Sequence, residues 1–282
     1  MNHNSNIRLF FTHLFLIVFT VVTLYPVMLV VRKSITPGDN FSRSLNPVPK
    51  EVTLKHYKDV VTSKDSAGRS LFARQFLNSL VVSLITTIMG LFLASTAAYS
   101  FSRFRFAGRE IGLTMFLVVQ MFPATLIMIP LYVILDKLGL LNSMTGLVLV
   151  YSTTAIPFCV WMLKGYFDTI PKELEEAAWI DGATRFSMFW RVVLPLSRPA
   201  LAVTALFSFM TAWNEYILTE TFLNEETAYT LPVMLQHYVG SHSTSWGKFA
   251  AGSVIVSLPI MILFYVLQKH LVGGLTAGGV KG

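Results

Sequence analysis

Six apolar runs bounded by charge, Leu9 to Val31, Phe76 to Ser100, Ile111 to Leu135, Met144 to Met162, Ala200 to Leu218 and Phe249 to Leu267, recur along the chain. Each approaches the roughly 20 residues that cross about 30 Å of hydrocarbon. Lipid offers no hydrogen-bond partners, so runs of this kind must satisfy their own N–H and C=O groups as helices. The expectation is an all-α membrane protein with six transmembrane helices, one domain over 1–282, and both termini on the same side. The first run is too long for a signal-peptide core and lacks a small-residue cleavage site before Arg32-Lys33, so it reads as a retained helix.

Composition narrows the function classes. Charged residues are 13% of the 282 and hydrophobic residues 54%, whereas soluble domains carry roughly 25% charge. A soluble enzyme, a disordered chain and a disulfide scaffold are excluded, and the single Cys159 sits in an apolar run where it has no partner within the chain. The formal charge of +7 suits loops facing anionic headgroups and implies membrane lipid as a partner, with no role for nucleic acid. The densest positive loops are the one holding Arg103, Arg105 and Arg109 and the one holding Lys164, Lys172, Arg185, Arg191 and Arg198. Lys and Arg divide equally between the two sides, 11 of the 22 on each, and it is the density of these two loops that favours cytoplasmic termini, with the loops 32–75 and 219–248 outside and the loop 170–195 and the tail 273–282 inside.

Enzyme signatures are missing. There is no Gly-x-Ser-x-Gly and no His-Glu-x-x-His, His13 is the one histidine within a run, and Gly247-Lys248 is followed by Phe249, which is not the P-loop pattern. The chain is expected to catalyse nothing and to bind no metal or cofactor, so any ATP and Mg that drive it belong to another chain. Prolines interrupt four runs, at Pro26, at Pro123 and Pro130, at Pro157 and at Pro259. Each removes a helical hydrogen bond, as helices lining a path often do and as packed helices also tolerate. A self-sufficient secondary transporter would need mid-membrane carboxylates and an internal repeat, and neither is visible.

The segment 170–195 is too polar to span yet is patterned for helix. Pro171 suits a first helical position, and Glu173, Glu175 and Glu176 place negative charge at the positive end of the helix dipole. That helix should run to about Asp181, with Gly182 as a sharp exit. Thr184 then caps a second helix carrying Phe186, Phe189, Trp190 and Val193, which Pro195 should stop. Two short helices around a glycine elbow are shaped either to enter a groove on another protein or to lie on the headgroups.

The residues Glu176-Ala177-Ala178, Gly182, Leu194 and Pro195, with Val192 where Ile is usual, resemble the EAA motif of ATP-binding cassette importer permeases. Ser100-Phe101-Ser102-Arg103, Gln120-Met121-Phe122-Pro123, Lys164-Gly165-Tyr166-Phe167, Tyr229-Thr230-Leu231 and the ending Gly274 to Gly282 extend the likeness along essentially the whole chain, to the MalG type of carbohydrate permease. The resemblance implies the type I importer fold with cytoplasmic coupling helices, set in the inner membrane of a bacterium. It implies a MalF-like partner permease, two copies of a MalK-like ATPase and an extracytoplasmic sugar-binding protein. It also carries over Glu176, Ala177, Ala178, Asp181, Gly182, Leu194 and Pro195 as the loop that docks in the ATPase cleft, and Thr276, Gly278, Gly279 and Lys281 as a tail near that ATPase. By the same likeness the segment holding Gln236, Tyr238, Gly240, Ser245 and Trp246 meets the sugar-binding protein.

Cargo contacts are less marked. Trp213, Asn214 and Glu215, near the outer end of the fifth run, combine an indole face with hydroxyl-bonding groups, and Gln120 and Asn78 are further candidates for lining a path or bonding between helices. No Lys or Arg lies inside any of the six runs, so a neutral sugar fits better than a phosphate ester. The expected cargo is a maltose- or maltodextrin-like oligosaccharide, with trehalose, a galacto-oligosaccharide or glycerol phosphate as alternatives.

Overall fold

The computed structural model describes residues 3–40, 44–240 and 244–278. Among the described residues every regular element is a helix or helical turn, and the only β-type pairings are isolated bridges at Lys64–Ser70 and Val239–Thr244. The membrane-length helices are α1 (His3–Ile35), α3 (Leu71–Arg103), α6 (Met144–Phe167) and α13 (Trp246–Gly278), with the short α2 (Lys55–Val61) between the first two. The third run is α4 (Arg109–Met121) followed by α5 (Ala124–Lys137). After α6 come α7 (Glu173–Ile180), α8 (Arg185–Met188), a π-turn at Phe189–Val193, α9 (Leu194–Leu196) and α10 (Arg198–Trp213), then α11 (Ile217–Phe222) and α12 (Leu231–His237).

Among the described residues, four helices are long and apolar enough to span a bilayer singly, and two bent pairs bring the number to as many as six. The bent pairs correct the expected boundaries. The run Ile111 to Leu135 is not one helix: α4 and the helix after it meet at 103°. Phe122 and Pro123 are both extended there, with ψ of 130° and 132°, as expected where a proline drives its predecessor out of the helical region. Pro26, Pro130, Pro157 and Pro259, by contrast, lie inside continuous helices. The fifth helix ends at Trp213 instead of Leu218, and α10 meets the preceding segment Arg185–Leu196 at 80°. The last helix continues past Leu267 to Gly278, so the glycine-rich stretch from Gly273 to Gly278 is helical.

The chain forms two compact units, Met1–Ala73 with Met234–Leu258 and Arg74–Val233 with Pro259–Gly282. In the first, none of the most apolar stretch of α1 is buried; in the second, 61% of that of α6 is. A helix that is apolar all round and enclosed by neighbours is a core helix, and α6 takes that role between α4 and α10. Small Ala94 and Ala98 on α3 are fully buried with Cys159, Val160, Leu163 and Phe167 of α6 and with Phe189, Val193 and Ala200, the close approach that small residues permit. A second cluster gathers Val82, Leu147, Tyr151, Ala212, Leu218 and Phe222.

Candidate functional site

The loop between α6 and α10 is built as a rigid corner. Helix α7 starts at Glu173 with Lys172 as its N-cap, two residues after Pro171, and Glu173, Glu175 and Glu176 fill its first turn. At its end, Ala183 N–H donates to Ala178 O at 2.9 Å and Gly182 N–H donates to Trp179 O at 3.0 Å. These two bonds form the Schellman closure that needs a left-handed residue, and Gly182 supplies it with φ +84°. Thr184 caps α8 through the Ser187 N–H at 3.3 Å. Pro195 does not stop the second helix as expected. The Leu194 N–H reaches back five residues to Phe189 O, and this wider turn relieves the clash between a proline ring and the carbonyl four residues earlier. The chain breaks at Ser197 instead, whose Oγ and N–H both bond Val193 O, at 2.7 and 3.0 Å.

One face of this corner is fixed to the end of α3. Glu175, buried, accepts from Arg103 Nε at 2.5 Å and from the Tyr99 hydroxyl at 2.9 Å. Arg103 also donates through Nη2 to Ile170 O at 3.1 Å and through Nη1 to Ser102 Oγ at 2.9 Å. Ser102 donates to Asp168 Oδ1 at 2.6 Å, and Asp168 Oδ2 lies 2.6 Å from Lys164 Nζ. Burial alone would raise the Asp168 carboxyl, but the bonds from Lys164 and Ser102 outweigh it and hold it below the usual carboxylate range. Phe189 packs on Tyr99 with ring centroids 5.0 Å apart. The Arg185 guanidinium stands 5.0 Å from the Phe104 ring centre and 5.7 Å from that of Trp179. A buried, multiply bonded ion pair of this kind fixes orientation, because removing either partner strands the other.

The opposite face is bare. Ile180 (85% exposed) and Phe186 (73%) present apolar surface beside exposed Glu176, Ala177 and Asp181, while Trp179, on the Glu175 side and under Arg185, is 56% exposed at its edge, and Glu176 makes no ion pair among the described residues. Contiguous exposed apolar groups rimmed by charge mark a surface made for another protein. Sequence reasoning singled out Glu176 and missed Glu175, Tyr99 and Asp168. The available signal was spacing: Glu175, Ala178 and Trp179 share one side of α7, and Ser102-Arg103 ends an otherwise apolar helix.

The other expected residues fall elsewhere. Trp213 is fully buried, stacked on Phe209 at 5.3 Å and edge-on to Phe76 at 6.2 Å, and so presents no surface to a solute in this conformation. Asn214 is the exposed C-cap of α10, and Glu215 accepts from the Leu218 N–H at 2.9 Å, which secures the start of α11. Asn78 donates to Thr227 O and Tyr229 O at 3.0 and 3.1 Å, while Gln120 is exposed at the end of α4, beside the break. Tyr238 and Ser245 pair through Ser245 N–H to Tyr238 O at 2.9 Å, beside the Val239–Thr244 bridge, with exposed Gln236 and Gly240 flanking and Trp246 opening α13. Leu194 is half-buried and Pro195 exposed; Thr276 and Gly278 lie on the last turns of α13, and Gly279 and Lys281 lie outside the described residues.

The profile of the family described as "Binding-protein-dependent transport system inner membrane component" matches residues 72–276. The galactooligosaccharides transport system permease protein GanQ of Bacillus subtilis (strain 168) is 39% identical over 277 residues, 98% of this chain and 96% of that protein. The maltose/maltodextrin transport system permease protein MalG of Escherichia coli (strain K12) is 40% identical over 288 aligned positions, again 98% of this chain and 96% of the relative. Among solved structures, a chain of a bacterial ABC transporter involved in the import of the acidic polysaccharide alginate superposes with a TM-score of 0.77 at 24% identity, over 95% of this chain and 98% of that one. A chain of the alginate transporter in complex with an alginate pentasaccharide-bound periplasmic protein gives 0.65 at 16% identity, over 94% and 93%. The structural likenesses establish a shared fold.

Proposed function

The chain belongs to the family of inner membrane components of binding-protein-dependent transport systems, a multi-pass membrane protein whose relatives are sugar permeases, and from that premise we propose that it is the permease subunit of an ATP-driven importer of a maltose- or maltodextrin-like oligosaccharide. The observation that carries the reading is the two-faced corner at 170–195, tied to α3 by Glu175 and Arg103 and bare at Ile180 and Phe186. Such a corner converts a push on its bare face into movement of the helices behind it. The pusher is a partner ATPase, a MalK-like protein present in two copies, which binds ATP and Mg; this chain performs no covalent chemistry. A MalF-like permease completes the pathway, and an extracytoplasmic sugar-binding protein delivers cargo to the segment from Gln236 to Trp246. In this arrangement the termini and the corner are cytoplasmic, and Thr276 to Lys281 lie toward the ATPase.

The absence of Lys and Arg within the six apolar runs supports a neutral cargo over an acidic one. A galacto-oligosaccharide is the second reading, favoured by GanQ, which is almost as similar as MalG. The test is affinity purification of the tagged chain from its native membrane in mild detergent, with mass spectrometry of what accompanies it and uptake assays with labelled maltodextrin and galacto-oligosaccharide. A cassette ATPase and a second permease should be recovered, and maltodextrin should be the better cargo. A stable, monodisperse chain recovered alone would overturn the reading.

A further inference from the structure

A groove in the first compact unit serves none of the steps above. One wall is the end of α1 and the other the first turns of α13; together they enclose about 510 Å³, within the few hundred to 1,000 Å³ of ordinary ligand sites. Leu29 and Val30 on α1 face Phe249 and Ala250 on α13, and Leu45 closes the trough from above. That closing segment is pinned to α1 at two points: the Tyr25 hydroxyl donates to Leu45 O at 2.5 Å, and Arg32 Nη1 donates to Ser44 O at 2.7 Å. The groove is therefore a held shape with a long apolar floor.

Its polar end is cationic. Arg32 and Lys33 both line it, and Lys33 Nζ is steadied by Gly38 O at 2.8 Å. These residues directly follow the apolar run that ends at Val31, so they stand at the depth where a spanning helix meets the phosphate groups of the bilayer. Trp246, on the facing wall, is the residue type that favours the same depth. The Asp39 carboxylate acts on Lys33 and offsets part of the repulsion between the two cations, which leaves two positive charges against one negative, and basic pockets between membrane helices recognise lipid headgroups. The apolar floor lies beside exposed Val27 and Val31 of α1 and so opens toward hydrocarbon, where water is a poor occupant and an acyl chain a good one.

We propose that this groove binds one anionic phospholipid, its phosphate against Arg32 and Lys33 and one acyl chain along Leu29, Val30, Phe249 and Ala250. The experiment uses the complete transporter exchanged into nanodiscs of phosphatidylglycerol or of phosphatidylcholine, followed by native mass spectrometry of lipid retained on this chain. One phosphatidylglycerol per chain should survive detergent stripping, phosphatidylcholine should not replace it, and the double variant Arg32→Gln, Lys33→Gln should retain about tenfold less. Because Arg32 also pins Ser44, a second variant leaves the charges alone: Val30→Trp, at a site 41% exposed, fills the trough and should reduce retention equally. Retention unchanged in Val30→Trp, displacement of the lipid by inorganic phosphate alone, or a Val30→Cys crosslink to the partner permease that shows protein seated in the groove would each overturn the proposal.

Discussion

The two ends of α3 grip their surroundings by different chemistry. At the start, Gln75, Asn78 and Ser79 bond the backbone of the 226–231 segment: Gln75 Nε2 donates to Glu226 O at 2.9 Å, Asn78 donates to Thr227 O and Tyr229 O, and Ser79 Oγ accepts from the Leu231 N–H at 2.7 Å. All four bonds are neutral, and Gln75 Oε1 and Thr230 Oγ1 are buried nearby with no hydrogen-bond partner among the described residues. At the far end, Tyr99, Ser102 and Arg103 hold the corner through Glu175 and Asp168, with charge on both sides of the contact. Charge-assisted bonds are roughly twice as strong as neutral ones, so the charged end moves with its neighbour as one body.

The most disruptive way to break this contrast is Arg103→Ala. It leaves the Glu175 carboxylate buried without its partner, at a cost of about 3–5 kcal/mol, and should abolish uptake and lower the thermal stability of the purified complex. Asn78→Ala at the neutral end strips a donor from two carbonyls and should cost about 1–3 kcal/mol, measured as a smaller drop in melting temperature with uptake retained. Equal losses from the two substitutions would erase the distinction between the ends. The mildest probe is pH. Asp168 is held below its unfolded value, so its contribution is present above the usual carboxylate range and is lost as pH falls through the lowered value. Asp168→Asn should therefore lower stability slightly at neutral pH and change it least in acid, flattening the acid side of the profile, and the effect should be small because the group is partly exposed.

Much of this was legible from residue order. The long apolar runs gave the spans, and Gly182 with Thr184 gave the elbow, because a left-handed turn and a cap are local demands that few residue types meet. What depends on neighbours was not legible. Pro157, buried, sits inside α6 and leaves it continuous, as exposed Pro26 and Pro130 do in their helices, whereas Pro123 breaks its run; residue type alone does not separate these cases. Pro195 passes without a stop because a π-turn precedes it, and nothing local announces that turn. Glu175 and Glu176 look alike in the sequence, and only the position of Arg103, 72 residues earlier, decides which is the anchor and which is left outward. Trp213 has the chemistry of a sugar platform, yet Phe209 and Phe76 claim its surface.

Under the proposed function, the outward face of the corner takes the ATPase's push and the inward face transmits it. The most direct measurement compares sugar uptake with ATP hydrolysis in proteoliposomes holding the complete transporter with Glu176→Lys. Glu176 is exposed and makes no ion pair among the described residues, so the variant should fold and leave the Glu175 anchor intact. Hydrolysis should continue while uptake falls to background. Uptake at the parent rate would contradict that assignment.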